Sequence, residues 1–209
     1  MRAHRPWLIW LPSLALSLVL GACSSVRLVD TEVRSFGPSP RTDVSPSAPQ
    51  TRPRTYVIDR LPSQQSADFD AIVTAVREAL EPLSLRLHDP ASPLPADGVL
   101  QIRYDERHQD HAPWEPEPSP FWGGFWWGNT GGGASLGWRM PPPKLWFERE
   151  LHLVMRRASD RTVVFETRAR HDGVWPDTAA VLPAMLRAAL RDYPQGHPEP
   201  QIIDIDIPR

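Results

Sequence analysis

The chain has 209 residues, enough for one domain with a real core. Basic and acidic side chains nearly balance, 23 against 25, so nothing suggests nucleic acid and no basic face suggests binding to anionic lipid. A single cysteine rules out an internal disulfide, so burial must stabilise the fold, and the 25 prolines fall in clusters that mark loops.

In chain order, positive charge at Arg2 and Arg5 is followed by an apolar run from Trp7 to Val19 and then by small residues. That order is the layout of a secretory signal. The run is roughly 15 residues long and contains Pro12, against about 20 for a spanning helix. Leu20-Gly21-Ala22-Cys23 resembles the lipobox of bacterial lipoproteins: a branched apolar residue, two small ones, then cysteine. The resemblance implies cleavage before Cys23 and lipidation of that residue. The other reading is an ordinary cut after Ala22 that leaves a free thiol, an unusual state for the sole cysteine of an exported chain. Arg2 and Arg5 leave with residues 1–22, so the 187 residues that remain carry 21 basic and 25 acidic side chains, a formal balance of −4. Ser24 rather than Asp follows the cysteine, which in lipoproteins of the enteric type favours the outer membrane.

Thr31–Phe36 alternates apolar and polar residues and reads as a short strand. Gly37–Pro53 is rich in Pro, Ser and Thr and reads as an exposed linker within the amino-terminal segment 23–54. Thr55–Leu61 is strand-like and ends at Pro62. Phe69, Ile72, Val73, Val76 and Leu80 form one apolar stripe of a helix, with Ser66 or Asp68 as its cap and Pro82 as its stop. Leu83–Leu87 reads as a short strand. Val99–Tyr104 puts Leu100, Ile102 and Tyr104 on one face and Gln101 and Arg103 on the other.

Pro113–Pro143 reads as a long Trp/Gly-rich loop. Beyond it, Leu145, Phe147, Leu151, Leu153 and Met155 share one parity, and Arg149 breaks that apolar row. Arg161–Arg170 repeats the two-residue period with Val163 and Phe165 inward, pairing as a hairpin through Ala158-Ser159-Asp160. Val181, Leu182, Met185, Leu186, Ala189 and Leu190 mark a second amphipathic helix, with Pro183 near its first turn, where proline is tolerated. Residues 196–209 read as a carboxy-terminal tail, although Ile202, Ile203, Ile205 and Ile207 could add an edge strand. The order predicts an α+β domain over residues 55–195: a mostly antiparallel sheet, two amphipathic helices on one face, and a long Trp/Gly-rich loop at 113–143.

Taken together these segments resemble the bacterial lipoprotein family of the domain of unknown function number 4136. The pieces are the lipobox, the extended Thr55–Leu61, the early helix, Ala96-Asp97-Gly98-Val99-Leu100-Gln101-Ile102-Arg103-Tyr104, a glycine–tryptophan loop, the hairpin Leu151–Arg168, and a closing helix that runs into Tyr193-Pro194. The resemblance covers roughly residues 23–195. The loop at 37–53 and the stretch at 105–120 look longer than is usual in the family. Membership implies an envelope lipoprotein with an α/β domain and supplies no catalytic residue.

The run Phe121-Trp122-Gly123-Gly124-Phe125-Trp126-Trp127-Gly128 admits three readings. Trp122, Phe125, Trp126 and Trp127 could fold back as a satellite core, stack on a sugar ring, or meet the membrane interface or a partner protein. His108 and His111 with Asp105, Glu106 and Asp110 could ligate a metal, but solvated polar loops have the same composition, so no metal and no cofactor beyond covalent lipid on Cys23 is expected. Ser84, Ser135 and Ser159 lie in no elbow-like context. Glu148 and Glu150 sit two apart on one strand face, which suits a solvated face bridged to Arg168 and Arg170 better than glycosidase carboxylates flanking a cleft. The expectation is a non-catalytic, lipid-anchored envelope module on the periplasmic face of the outer membrane, with an envelope protein or glycan as partner and no nucleic acid. The alternative is a wall-glycan-binding or glycan-processing protein that uses the Trp-rich loop.

Overall fold

The computed structural model describes residues 26–38, 53–115, 121–138 and 144–208. Among the described residues the expected α+β architecture is present: a seven-stranded mixed sheet, mostly antiparallel, two α-helices and a separate two-stranded sheet. The large sheet has the order β3-β2-β4-β7-β8-β1-β9. Its strands are β1 (Val26–Phe36), β2 (Thr55–Asp59), β3 (Arg86–Leu87), β4 (Gly98–Gln109), β7 (Trp146–Arg157), β8 (Val163–Gly173) and β9 (Gln201–Pro208). β2 is parallel to β3 and β4, and every other pair is antiparallel.

Helix α1 (Ala67–Leu80) begins where Ser66 Oγ accepts from the Phe69 amide at 3.3 Å. Asp68 and Asp70 lie in its first turn and Arg77 in its last, each matched to the sign of the helix dipole. Phe69, Val73, Val76 and Leu80 are its buried stripe. Helix α2 (Thr178–Ala189) is capped by Asp177, whose carboxylate accepts from Ala180 N at 3.2 Å. Pro183 is the sixth helical residue, deeper than the first turn expected for it; the carbonyl its missing N–H would have engaged belongs to exposed Ala179. The far end of α2 is tied to the sheet by Thr167 Oγ1, which donates to the Ala189 carbonyl at 2.9 Å.

The two-residue period of the strands sorts side chains into two sets. Val29, Val33, Leu100, Ile102, Leu151, Leu153, Met155, Phe165, Ala169, Ile203 and Ile207 join the helix stripes in a single core. The other parity is largely charged. β4 and β7 pair over twelve residues, from Gly98↔Arg157 to Gln109↔Trp146, so both strands keep their parity along their full length.

Three readings of the sequence change. Val163 is exposed, unlike Phe165, because the register shifts between Met155 and Arg156: Met155 pairs with Phe165 and Arg156 with Val163, which makes Val164 an extra residue and turns Val163 outward. The tail reading gives way to the edge strand that the isoleucines also allowed: β9 is the sheet edge beside β1, from Val26↔Pro208 to Val33↔Gln201, and buries Ile203 and Ile207. The long loop contains a hairpin, β5 (Phe121–Gly128) and β6 (Gly131–Trp138), paired throughout from Phe121↔Trp138 to Gly128↔Gly131. Its turn is Asn129-Thr130, and Gly131 takes a positive φ of 128° that favours glycine. Most of the Pro/Ser-rich linker, residues 39–52, lies outside the described residues.

Candidate functional site

A polar row, buried at Arg149 and His171 and open to solvent at Glu106, crosses the core side of the sheet at the end where α2 begins. Glu106, Arg149 and His171 are register partners on β4, β7 and β8. Arg149 occupies a position that the strand period assigns to the core, and its side chain is fully buried. Nη2 faces three acceptors, Glu106 Oε1 at 3.3 Å, the Trp175 carbonyl at 2.9 Å and Thr178 Oγ1 at 3.1 Å, so one of its two hydrogens is shared. The Thr178 hydroxyl donates onward to Glu106 Oε2 at 2.8 Å, and Tyr104 donates to the same oxygen at 2.7 Å. The guanidinium also lies 5.0 Å from the centre of the Phe147 ring.

Burial by itself would raise the Glu106 carboxyl. The hydrogen bonds from Tyr104 and Thr178 and the Arg149 charge outweigh it and hold the carboxyl below the usual range. The Tyr104 phenol is pushed well up, first by burial and then by the Glu106 carboxylate it serves. His171 is buried beside this group. Its Nδ1 donates to the Asp30 carbonyl at 2.7 Å, while His171 Nε2, Thr31 Oγ1 and two nitrogens of Arg149, Nε and Nη1, have no hydrogen-bond partner among the described residues. The sequence shows one trace of this row, the interruption of an apolar parity by Arg149.

The opposite parity forms charged rows. One runs Asp105–Glu150–Arg170–Glu32 across β4, β7, β8 and β1, the next Arg107–Glu148–Asp172, and a basic one Arg103–His152–Arg168–Arg34. The two acid-rich rows line a groove of about 380 Å³. Glu150 lies between Arg168 Nε at 3.6 Å and Arg170 Nε at 3.9 Å, the bridging its strand position suggested. Such a groove can take up polar or hydroxylated ligands by hydrogen bonding.

Asp105 and Glu106 point to opposite sides of β4, so the acidic and histidine residues near 105–111 do not converge. Among the described residues no group of three or more His, Cys, Asp or Glu side chains is arranged to hold a metal ion. Of the aromatic residues singled out, Trp122, Phe125, Trp126 and Trp127 all belong to β5. Phe125 is 94% exposed, so this ring is not part of a core. Leu20, Gly21, Ala22 and Cys23 lie outside the described residues. Among the described residues no helix is long and apolar enough to cross a membrane.

The sequence matches DUF4136, a domain of unknown function, over residues 40–195. The chain belongs to that family. No curated protein matches it. Among solved structures it is similar to a PDZ domain protein from Parabacteroides distasonis at 9% identity and a TM-score of 0.48, with 92% of this chain and 42% of that one covered. Its span is thus less than half of that protein. It is also similar to the PelC dodecamer of Paraburkholderia phytofirmans at 12% identity and a TM-score of 0.42, covering 77% of this chain and 94% of that one. A point variant of the same dodecamer matches over the same shares at a TM-score of 0.40.

Proposed function

We propose that this DUF4136 member is a lipid-anchored periplasmic module of the bacterial outer membrane that works by binding or structural support and not by catalysis. The observation that carries the reading is the position of the sole cysteine. It closes the lipobox Leu20-Gly21-Ala22-Cys23 and stands three residues before the first strand residue, Val26. Acylation there would place the domain directly against the bilayer, because each acyl chain contributes about 0.8 kcal/mol per buried CH₂ and two chains hold a protein stably. Both helices cover one face of the large sheet in this reading, and the charged face with its groove stays open to the periplasm for a partner.

The test is the intact mass of the protein extracted from fractionated membranes. A mass of residues 23–209 plus acyl chains, in the outer-membrane fraction, is the expected result, and Cys23→Ser should abolish acylation and release the protein. An unmodified Cys23 in soluble periplasm would overturn the anchor. A wall-glycan-binding role is the second reading, favoured by the aromatic residues being on a paired strand, where successive positions keep a fixed spacing that a sugar chain can match. Retention of the protein by isolated murein, lost when Trp122, Trp126 and Trp127 are replaced by alanine, would support it.

A further inference from the structure

The large sheet has two ends, and the sequence features that favour lipid meet at one of them. β1 starts at Val26, opposite Pro208 at the finish of β9. Because the central strands are antiparallel, the same end carries the finish of β8 at Gly173, the start of β7 at Trp146 and the finish of β4 at Gln109. The segment that contains β5 and β6 leaves from Gln109 and returns to Trp146, which are register partners, so the hairpin is rooted at the end where β1 begins. Trp114 packs edge-on against Trp146 at 4.7 Å and pins the outgoing chain there. Only Ser24 and Ser25 separate Cys23 from Val26, a reach of at most about 11 Å.

The hairpin is chemically unlike the rest of the surface. From Phe121 to Trp138 no residue carries a charge, and five of the eight residues of β5 are aromatic. A lone two-stranded hairpin is marginally stable in water at best, and the Phe125 ring of this one stands exposed. Tryptophan suits the headgroup boundary, where an indole has one apolar and one wet side. Each strand is about 27 Å long at 3.4 Å per residue, enough to reach beyond the sheet end. Val26, Leu28, Leu145 and Val174 at the same end are exposed as well.

We propose that the end of the sheet where β1 begins faces the bilayer and that the β5–β6 hairpin enters the lipid interface as a second, non-covalent attachment beside the acylated cysteine. This rests on the anchored reading above for its orientation, and the hairpin's lipid contact is measured separately from acylation.

The experiment uses the acylated mature chain in vesicles of phosphatidylethanolamine and phosphatidylglycerol. Acylation consumes the only native thiol, so Phe125→Cys supplies a single site for an environment-sensitive dye. Leu94→Cys, 72% exposed in the β3–β4 connection at the opposite end, is the reference. The expected result is a blue-shifted emission at position 125 that is quenched by brominated acyl chains, with neither effect at position 94. A dye at 125 that stays in water while mass analysis shows acylation overturns this inference and leaves the anchor standing. If the mass shows an unmodified Cys23, the anchor fails. The hairpin is then judged on the Cys23→Ser, Phe125→Cys chain added to the same vesicles, where a blue shift supports lipid contact and silence overturns it. A response to soluble murein strands without a response to vesicles also overturns the lipid assignment, in favour of a glycan.

Discussion

Replacing Arg149 by methionine tests the buried row most directly. The substitution keeps an unbranched side chain of similar length and removes the donor that Nη2 offers to its three acceptors. Breaking a buried ion pair by deleting one partner costs about 3–5 kcal/mol, because the other charge is left buried. Two features lower the figure here. The Glu106 side chain is 28% exposed and keeps its bonds from Tyr104 and Thr178, and the wild-type guanidinium already carries two nitrogens without a partner. A loss of about 2 kcal/mol is expected, which at about 2–4 °C per kcal/mol for a domain of this size lowers Tm by about 4–8 °C. The assay is urea and thermal unfolding of wild type, Arg149→Met, Glu106→Gln and the double variant. Removing both charges relieves the stranded carboxylate, so the double variant should recover to within about 1 kcal/mol of wild type. The Glu106 carboxyl is depressed in the folded state. Its contribution is therefore present in full above the unfolded value near 4.5, falls away as pH drops below it, and disappears in Glu106→Gln. Arg149→Met as stable as wild type, with strictly additive effects of the two changes, would refute the pairing argument.

Other perturbations have equally definite outcomes. Asp97 accepts from Arg54 N at 3.0 Å and from Thr55 N at 3.1 Å, and these amide bonds hold its carboxyl below the usual range. Asp97→Ala should cost about 1 kcal/mol in chemical unfolding, and the wild type should lose that increment as pH falls below the unfolded value near 3.8. Phe165→Ala should cost about 3–5 kcal/mol while Val163→Thr stays within about 0.5 kcal/mol, and equal costs in the same assay would remove the register shift. Gly37→Ala should destabilise the sheet edge, because a Cβ there would run into the backbone of Pro194 and Gln195; a Tm unchanged from wild type would show that the close approach is absent.

The elements legible in the sequence are those with a clean period. The α1 stripe from Phe69 to Leu80 and the alternation of β4 emerge from spacing alone, because one face of each is wet and one is dry, whereas the choice of Ser66 over Asp68 as the cap needed the structure. The alternation also carries its own warning at Arg149, where a charge sits in an apolar row. What it cannot reveal is the partner: Glu106 and Thr178 are 43 and 29 residues away and meet Arg149 only through the pairing of β4 with β7 and the entry into α2. Val163 misleads for a related reason, since one extra residue at Val164 inverts the parity of everything before it. The hairpin hides because glycine, at Gly123, Gly124, Gly128 and Gly131–Gly133, reads as loop, although a strand can carry glycine where an aromatic residue lies opposite: Trp126 and Trp127 pair with Gly133 and Gly132 across the ladder. β9 is half legible: the isoleucines that alternate with aspartate allow an edge strand, while the proline-rich residues 194–200 before them read as the start of a tail.

The charged rows and the uncharged hairpin constrain orientation together. Arg34, Arg103 and Arg168 with His152 cannot be buried in lipid without several kcal/mol of desolvation each, so the open strand face does not lie on the bilayer. In the anchored arrangement proposed above, the strands then rise away from the membrane, with the sheet standing on the end where β1 begins. In that orientation the acid-rich rows lie nearest the lipid and the basic row farther out. The Arg107–Glu148–Asp172 row is about 7 Å from the last paired residues of β4 and β7, within the roughly 8 Å over which charge acts at physiological ionic strength. Acidic side chains repel anionic headgroups at that range, which keeps the groove clear of the surface while the hairpin, having no charge, is free to enter it. Under that proposal one end of the molecule combines a tether, an uncharged foot and an acidic spacer, and the groove above them stays open to solvent.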